Sequence, residues 1–504
     1  MIDEVLNKLE PCIGYQLDVG TNTNGLAFAD DLATVASTRE GQQVLLDSVS
    51  SELGAGGLDL NSAKCATLSI EIDGKAKRWV VNPNAQFTVG GRVVKALSVE
   101  ESYKYLGMQV GARGTRKDFT KSLQDSLGNL TRAPLKPQQR MFLLRVYLVP
   151  RMYHGLVLAE QTASTLEALD RLVRRSVRAW LRLPPDTPLG FFHADAAEGG
   201  LQIPRLRLTI PAMRLKRLHQ VMKSTDPSVL AAVGKACFAI QLRRCEKKLR
   251  VSGVQLSKPS DVRKALAARL HASVDGRGLQ WANEVPAAHR WVTDGISLLS
   301  GADYIQAVKV RGNLLPTRMR SGRGRGRSDV TICDAGCNAR ETLSHISQSC
   351  ARTHLLRTAR HDNILGFIEE TCRENLHDFE REPTIPTSQG VRRPDLIVKI
   401  GECAYVVDLT ISSDHVHLST PYQAKVRYYD QADIRQWMLT RFGCRSVAFS
   451  AIVYSWRGCT LPKSVAMLDT IGMPRYKQII PIIRVLTYTA NMYRLFTRST
   501  TRHG

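Results

Sequence analysis

Three groups of residues in this chain have types and spacings that could do chemistry. In Leu26-Ala27-Phe28-Ala29-Asp30-Asp31-Leu32-Ala33-Thr34-Val35, two short apolar runs flank two adjacent acids, the pattern of a β-hairpin with carboxylates at its tip. Asp30 and Asp31 repel one another, and Mg2+ is the natural neutraliser. Carboxylates held this way can bind the ions that activate a 3′-hydroxyl and stabilise a leaving pyrophosphate. Aspartate also favours turns, so an ordinary Asp-Asp turn competes with that reading. The second group, Cys333-x3-Cys337-x7-His345-x4-Cys350, offers four soft ligands within 18 residues and could close a tetrahedral Zn2+ site. So small a unit could hardly bury a core, so metal binding would provide much of its folding energy. The plainer alternative is a coincidence of buried cysteines with His345 on a helix, and His354 is a decoy imidazole one turn further along.

The third group runs from Arg392-Arg393-Pro394-Asp395 to Asp408 and reads as two strands joined by a Gly401-Glu402 turn of the II′ kind. Ile400 then faces Cys403, and counting back five on each side sets Asp395 opposite Asp408, with Cβ atoms roughly 4.5–5.5 Å apart. Asp408 lies in an apolar strand where a bare charge is costly, and a shared Mg2+ or Mn2+ would relieve both problems. Downstream, Thr420-Pro421 is an N-cap and first-turn proline for a helix that carries Lys425, with Tyr422 and Tyr429 on the same side. A lysine beside such a centre can position a nucleophile and stabilise charge on a scissile phosphate. Asp395 by itself would mean only a structural Pro-Asp turn.

The elements that must position these groups are embedded in a strongly basic chain of 504 residues with 70 Lys+Arg, 46 Asp+Glu and a net charge of +24. Residues 1–110 hold 9 basic and 14 acidic side chains, 111–330 hold 39 and 16, and 331–504 hold 22 and 16, so the middle carries nearly all the excess. Its clearest helix is Ser164–Leu183, with a Ser164/Glu167 capping box and an apolar stripe of Leu166, Leu169, Leu172, Val173, Val177 and Trp180. Arg171, Arg175, Arg178 and Arg182 form a row beside that stripe. A solvated face is the bland reading of such a row, and the basic segment around it favours phosphate binding instead. Arg318, Arg320, Arg323, Arg325 and Arg327 alternate with glycine or other residues in a stretch expected to be too flexible for a helix, a linker able to wrap phosphates. The hydrophobic content of 43% excludes a wholly disordered chain, and no apolar run reaches a membrane span. The N-terminus lacks a signal-peptide layout, and 11 cysteines spread over the chain point to a reducing compartment rather than a disulfide scaffold.

Phe28-Ala29-Asp30-Asp31 resembles the catalytic hairpin of reverse transcriptases, whose signature is an aromatic, a small residue and two aspartates. Gly57-Leu58-Asp59-Leu60-Asn61-Ser62-Ala63-Lys64 looks like the motif that follows, and the resemblance implies Lys64 near the incoming nucleotide. Tyr103-Lys104-Tyr105-Leu106-Gly107 resembles the primer grip of non-LTR retrotransposon enzymes, which implies primer contacts at Tyr105 and Gly107, although a strand ending in a glycine turn reads equally. Asp395, Asp408 and Lys425 resemble the restriction-like endonuclease of site-specific non-LTR elements, a relative of the PD-(D/E)xK nucleases. Asp408-Leu409-Thr410 breaks the usual D-x-K pattern, and in these elements the following helix supplies the lysine. Arg360-His361-Asp362 resembles a further motif of that group, with a surface turn an equal reading. Asn313-Leu314-Leu315-Pro316-Thr317 resembles a linker motif ahead of the knuckle. The family also has a further metal-binding aspartate upstream. Asp18 is too close and too polar in setting to replace it, so the chain is expected to be the C-terminal part of a longer polyprotein and a poor polymerase by itself.

The collinear order implies a multidomain α+β chain: a partial reverse-transcriptase palm (1–110), a helical thumb (111–225), a basic linker (226–330), a CCHC zinc knuckle (331–362) and an α/β PD-(D/E)xK-like nuclease (363–504). It resembles the polyprotein of type-1 retrotransposons that insert into ribosomal RNA genes. That resemblance implies target-primed reverse transcription in the nucleus, with element RNA and target double-stranded DNA as partners, no membrane, and Mg2+ (or Mn2+) and Zn2+ as cofactors. A non-enzymatic nucleic-acid-binding remnant of a decayed or domesticated element is the competing class, separable by whether the chain cuts DNA as well as binding it.

Overall fold

The computed structural model describes residues 2–75, 77–116, 119–234, 236–251, 253–294, 297–323 and 331–500. α-Helices and β-strands are mixed throughout, and the chain divides into two compact units. No helix among the described residues is long and apolar enough to cross a membrane.

The first unit comprises residues 1–126, 149–172 and 205–262. Its helix Arg39–Ala55 starts where the Thr38 hydroxyl accepts the Gly41 N–H at 3.0 Å. Leu45, Val49 and Leu53, spaced four apart, form one buried stripe against Val5 and Leu9, and Leu32, Ala36 and Leu60 pack around the same cluster. Leu32 thereby anchors the hairpin of Gly25–Phe28 with Asp31–Thr34, whose register pairs Phe28 with Asp31 across an Ala29-Asp30 turn. Ala29 has φ +54, a left-handed conformation its Cβ disfavours, so the tip carrying the two acids is strained. A second hairpin, Tyr103–Tyr105 with Met108–Gly111, turns through Leu106 and Gly107. Both have positive φ, as a type I′ turn demands.

The arginine helix spans Ala163–Leu181, not Ser164–Leu183. The hydroxyl at its start is Thr162 Oγ1, which accepts the Thr165 N–H at 3.1 Å, so the expected Ser164/Glu167 box is replaced by a cap two residues earlier. Leu166, Leu169, Val173, Val177 and Trp180 are buried as their spacing predicts. Between Leu169 and Arg171, Asp170 is fully buried and caps the helix Leu206–Val221 from outside, accepting from the N–H groups of Leu206 (2.8 Å) and Arg207 (2.9 Å).

The second unit comprises residues 127–148, 173–204 and 263–504. Its four-stranded sheet runs, in spatial order, Asp378–Arg381, Leu396–Ile400, Cys403–Ser412 and Ser446–Ser455. The first two pairings are antiparallel and the last is parallel. A parallel neighbour needs a crossover, supplied by the helices Ser419–Tyr429 and Ala432–Phe442. Ile397, Ala404 and Val406 pack on Ile434, Met438 and Phe442 of that crossover. The first crossover helix begins at Ser419 without a side-chain cap from Leu418, so Thr420 lies inside it rather than at its N-cap. The final helix, Ile479–Thr500, packs along His354–Glu374.

Candidate active sites and metal centre

The β-turn at Gly401-Glu402 governs the first site. Gly401 has φ +59, and Ile400 pairs with Cys403 and Leu396 with Val407, so one more step sets Asp395 across from Asp408. Asp408 is 2 % exposed, and Lys425 of the crossover helix reaches its Oδ2 at 3.0 Å. Thr410, at the position where a D-x-K motif has its lysine, donates its hydroxyl to the same oxygen at 3.1 Å. Burial, then the neighbouring Asp395, raise the Asp408 carboxyl above its ordinary range, against the pull of Lys425 and Tyr429. The Tyr429 phenol is itself raised, by burial and then by Asp408, and it donates to the Arg393 carbonyl at 3.1 Å. Asp395 Oδ2 accepts the Leu409 N–H at 2.7 Å.

His361 belongs to this cluster. Arg360-His361-Asp362 lies in the helix His354–Glu374, so the surface-turn reading fails. Arg360 is buried and donates to the Ser347 carbonyl (3.2 Å) and the Thr489 hydroxyl (3.3 Å). His361 places Nε2 3.1 Å from Asp395 and Nδ1 3.3 Å from Asp362. Burial works against its charge, but the Asp395 and Asp362 carboxylates outweigh it and raise the imidazole to about 9. His361 was legible in sequence only as one member of a motif whose chemistry did not follow from its residues.

The cysteines and histidine come together as their spacing requires. The candidate ligand atoms of Cys333, Cys337, His345 and Cys350 all lie within 4.8 Å of one another, while His354 is exposed and outside the group. Cys350 Sγ is 3.9 Å from Cys333 Sγ and 3.8 Å from Cys337 Sγ. A tetrahedron with Zn–S bonds of about 2.3 Å has edges near these lengths. His345 Nδ1 is 2.9 Å from Ser349 Oγ, while its Nε2 is buried with no hydrogen-bond partner among the described residues. That is the arrangement of an imidazole oriented from outside to offer Nε2 to a cation. Burial pushes the Cys333 thiol up to about 12, a state that a bound dication reverses. The residues fit Zn2+.

In the first unit, Asp30 stands at the hairpin turn and Asp31 opens the second strand, both exposed. The Asp31 charge reaches Tyr105, whose phenol is raised by burial first and by Asp31 second. The Tyr103 hydroxyl donates to the backbone carbonyl of Lys64 at 2.6 Å, and the Leu106 carbonyl is 3.1 Å from His154 Nε2. Both hairpins and the Lys64 loop are therefore gathered in one unit, with Gly107 in the turn beside them. Asp18 holds the Val19 N–H at 2.8 Å.

The arginines divide by environment. Arg171, Arg175 and Arg182 are exposed, whereas the Arg178 guanidinium lies 5.0 Å from the centre of the Phe192 ring. The 318–323 segment corrects an expectation. Arg318–Ser321 is a short helix capped by Thr317, and its arginines are paired rather than free to wrap phosphates. Arg318 bonds Asp334 (3.3 Å) and Glu341 (3.4 Å). Arg320 is buried between Asp275 (2.6 Å) and Asp186 (2.9 Å), and Arg323 grips Asp275 through two bonds. The Asn313-Leu314-Leu315-Pro316-Thr317 stretch feeds this helix, with Asn313 on Asp275 at 3.1 Å. Arg325 and Arg327 lie outside the described residues.

Fold and sites together define a mixed α/β protein with a Cys3His cluster able to hold a metal ion and a pair of register-opposed carboxylates at its main sheet. No family model matches the chain. It is 35% identical over 499 residues to the "Retrovirus-related Pol polyprotein from type-2 retrotransposable element R2DM" of Drosophila melanogaster, covering 98% of this chain and 47% of that protein. It is 33% identical over 504 residues to the "Retrovirus-related Pol polyprotein from type-1 retrotransposable element R2" of Nasonia vitripennis, covering 48% of it. The chain therefore spans about half the length of these two relatives. A relative of the same name from Popillia japonica is 33% identical over 451 residues, 89% of this chain and 92% of that protein. The chain belongs to the R2 retrotransposon Pol polyproteins.

Proposed function

We propose that this chain nicks target DNA and extends the released 3′-hydroxyl on element RNA, the two steps of target-primed reverse transcription. The observation that carries the reading is the opposed pair Asp395 and Asp408 with Lys425 at 3.0 Å. Asp395 and Asp408 would hold Mg2+, which when bound supplies a Lewis acid at the scissile phosphate. Lys425 adds positive charge where the phosphate gains negative charge, Thr410 and the Leu409 N–H orient the carboxylates, and His361 holds Asp395 in place. In the first unit, Asp30 and Asp31 would serve the polymerase step, with Lys64 towards the nucleotide and Tyr105 and Gly107 towards the primer. Residues 1–110 are read as palm, 111–225 as thumb, 226–330 as linker, 331–362 as knuckle and 363–504 as endonuclease. The partners are element RNA and double-stranded ribosomal-gene DNA, and the site of action is the nucleus.

Supercoiled plasmid carrying ribosomal-gene sequence tests the nuclease half. The chain should nick it with Mg2+, and Asp408→Ala should lower nicking by at least about 1,000-fold, as expected for loss of a metal-holding group, while leaving DNA affinity within about twofold. A wild-type chain that binds the plasmid and never cuts it would refute the nuclease assignment for this chain.

A further inference from the structure

Glu284, His417 and Ser419, all in the second unit, stand in a hydrogen-bonded series. Glu284 Oε1 is 2.5 Å from His417 Nε2, and His417 Nδ1 is 2.6 Å from Ser419 Oγ. The Ser419 N–H also points to Nδ1, at 3.2 Å. A backbone N–H can only donate, so Nδ1 is the acceptor and the ring proton sits on Nε2, donated to Glu284. The Trp281 ring stands nearly perpendicular to the imidazole, with 5.1 Å between the ring centres.

Acid, imidazole and hydroxyl in this order are the parts of an acyl-transfer triad. Such a site needs N–H groups free to hold an oxyanion, and among the described residues the start of this helix offers none. The Thr420 N–H goes to the His417 carbonyl (3.0 Å), and the Tyr422 N–H goes to the Leu418 carbonyl (3.2 Å). Ser419 donates to His417, and Pro421 has no N–H to give. The imidazole therefore serves the helix itself. The first N–H groups of a helix lack partners within it, and Leu418 at the N-cap has no side-chain acceptor. His417 supplies one from the residue before.

This helix, Ser419–Tyr429, carries Lys425 in its second turn, about 9 Å along the axis from the capped end. Lys425 meets Asp408 at 3.0 Å. The far end of the helix is held where Tyr429 donates to the Arg393 carbonyl at 3.1 Å. We propose that His417, oriented by Glu284, is a positioning residue for DNA nicking: it fixes the start of this helix and thereby the reach of Lys425 to Asp408. The inference rests on the nuclease reading above. It adds two residues to that site, one of them, Glu284, from the stretch read as linker.

Single-turnover nicking of the ribosomal-gene plasmid by the full chain at saturating Mg2+ tests it. His417→Ala should lower the rate about tenfold, as for a small misplacement of a reacting group, with DNA affinity within about twofold. His417→Asn should restore the rate to within about twofold of wild type, because an asparagine oxygen can accept from the N–H two residues on. Glu284→Ala should lower the wild-type rate about threefold, the scale of one hydrogen bond, and leave the His417→Asn rate unchanged. Lys425→Ala should lower the rate about 100-fold, and adding His417→Ala to it should lower the rate no further. A wild-type rate in His417→Ala, a His417→Asn as slow as His417→Ala, or a full tenfold loss from His417→Ala in the absence of Lys425 would overturn the positioning role and leave the nuclease reading intact. A wild-type rate in Lys425→Ala, or no nicking by the wild type, would overturn the role given to Lys425 and this inference with it.

Discussion

A single imidazole shows how much a site depends on its third neighbour. Lys425 answers the charge of Asp408, and His361 answers that of Asp395, so each of two repelling carboxylates has its own cation. Burial alone would keep His361 neutral, yet two carboxylates raise it to about 9 from an ordinary 6.5. Because the folded value is raised, its contribution to stability is full below about pH 6.5 and is lost as pH climbs through about 9. In Mg2+-free buffer, the stability difference between the wild type and His361→Ala should shrink by about 1 kcal/mol between pH 6 and pH 10, the partial exposure of the ring reducing what the shift itself implies. Urea unfolding at both pH values measures it. A difference that does not change with pH would mean that His361 is not held charged by Asp395 and Asp362.

At the scale of elements, the Cys3His cluster ties several pieces together. Cys333, Ile346 and Cys350 share a buried cluster with Phe496 of the final helix, and Tyr493 of that helix donates to the Pro316 carbonyl. Arg318 and Arg352 both reach Asp334 from either side of the cluster. Metal loss should therefore loosen more than a loop. Cys350→Ser should reduce zinc from one per chain to well below one, and hydrogen exchange should accelerate at Leu343–Gln348 and around Tyr493–Phe496. Retention of a full equivalent of zinc by this variant would remove Cys350 from the ligand set. The helix His354–Glu374 shows why some elements escape a sequence reading. Arg360, Glu369 and Thr371 are buried on it alongside Ile364, Leu365 and Ile368, because Arg360 has hydrogen-bond partners and Glu369 pairs with Arg381 at 3.2 Å. Buried polar groups interrupt the apolar period that would have marked the helix.

For the whole molecule, the net charge of +24 is a statement about partners, and the structure narrows which arginines remain available for them. Arg171, Arg175 and Arg182 are exposed, while Arg320 and Arg323 are held by Asp275. Affinity for duplex DNA should fall linearly with salt on logarithmic axes. Replacing Arg171, Arg175 and Arg182 by alanine should flatten that slope by up to about 2.7, at about 0.9 for each phosphate no longer neutralised. Replacing Arg320 should leave the slope unchanged and lower the Tm instead, because it leaves the buried carboxylate of Asp275 with one of its two arginines, Arg323, and opens a gap where the buried Arg320 guanidinium stood. Fluorescence anisotropy over a salt series reads the first outcome, and an equal change of slope from both sets would contradict this division.

The sequence alone determined what depends on near neighbours. The Ile400–Cys403 register follows from a glycine that can take positive φ in a two-residue turn, and that register carries Asp395 to Asp408. The grouping of Cys333, Cys337, His345 and Cys350 follows from short loops between soft ligands. Tertiary structure decided the rest: that His361 meets Asp395 34 positions away, that Asp170 caps a helix starting 36 positions later, and that Asp275 claims arginines 45 and 48 positions on. Spacing and propensity act within a turn or a hairpin. Which distant partner a buried charge finds is settled only when the packed chain removes water and leaves that charge to be matched.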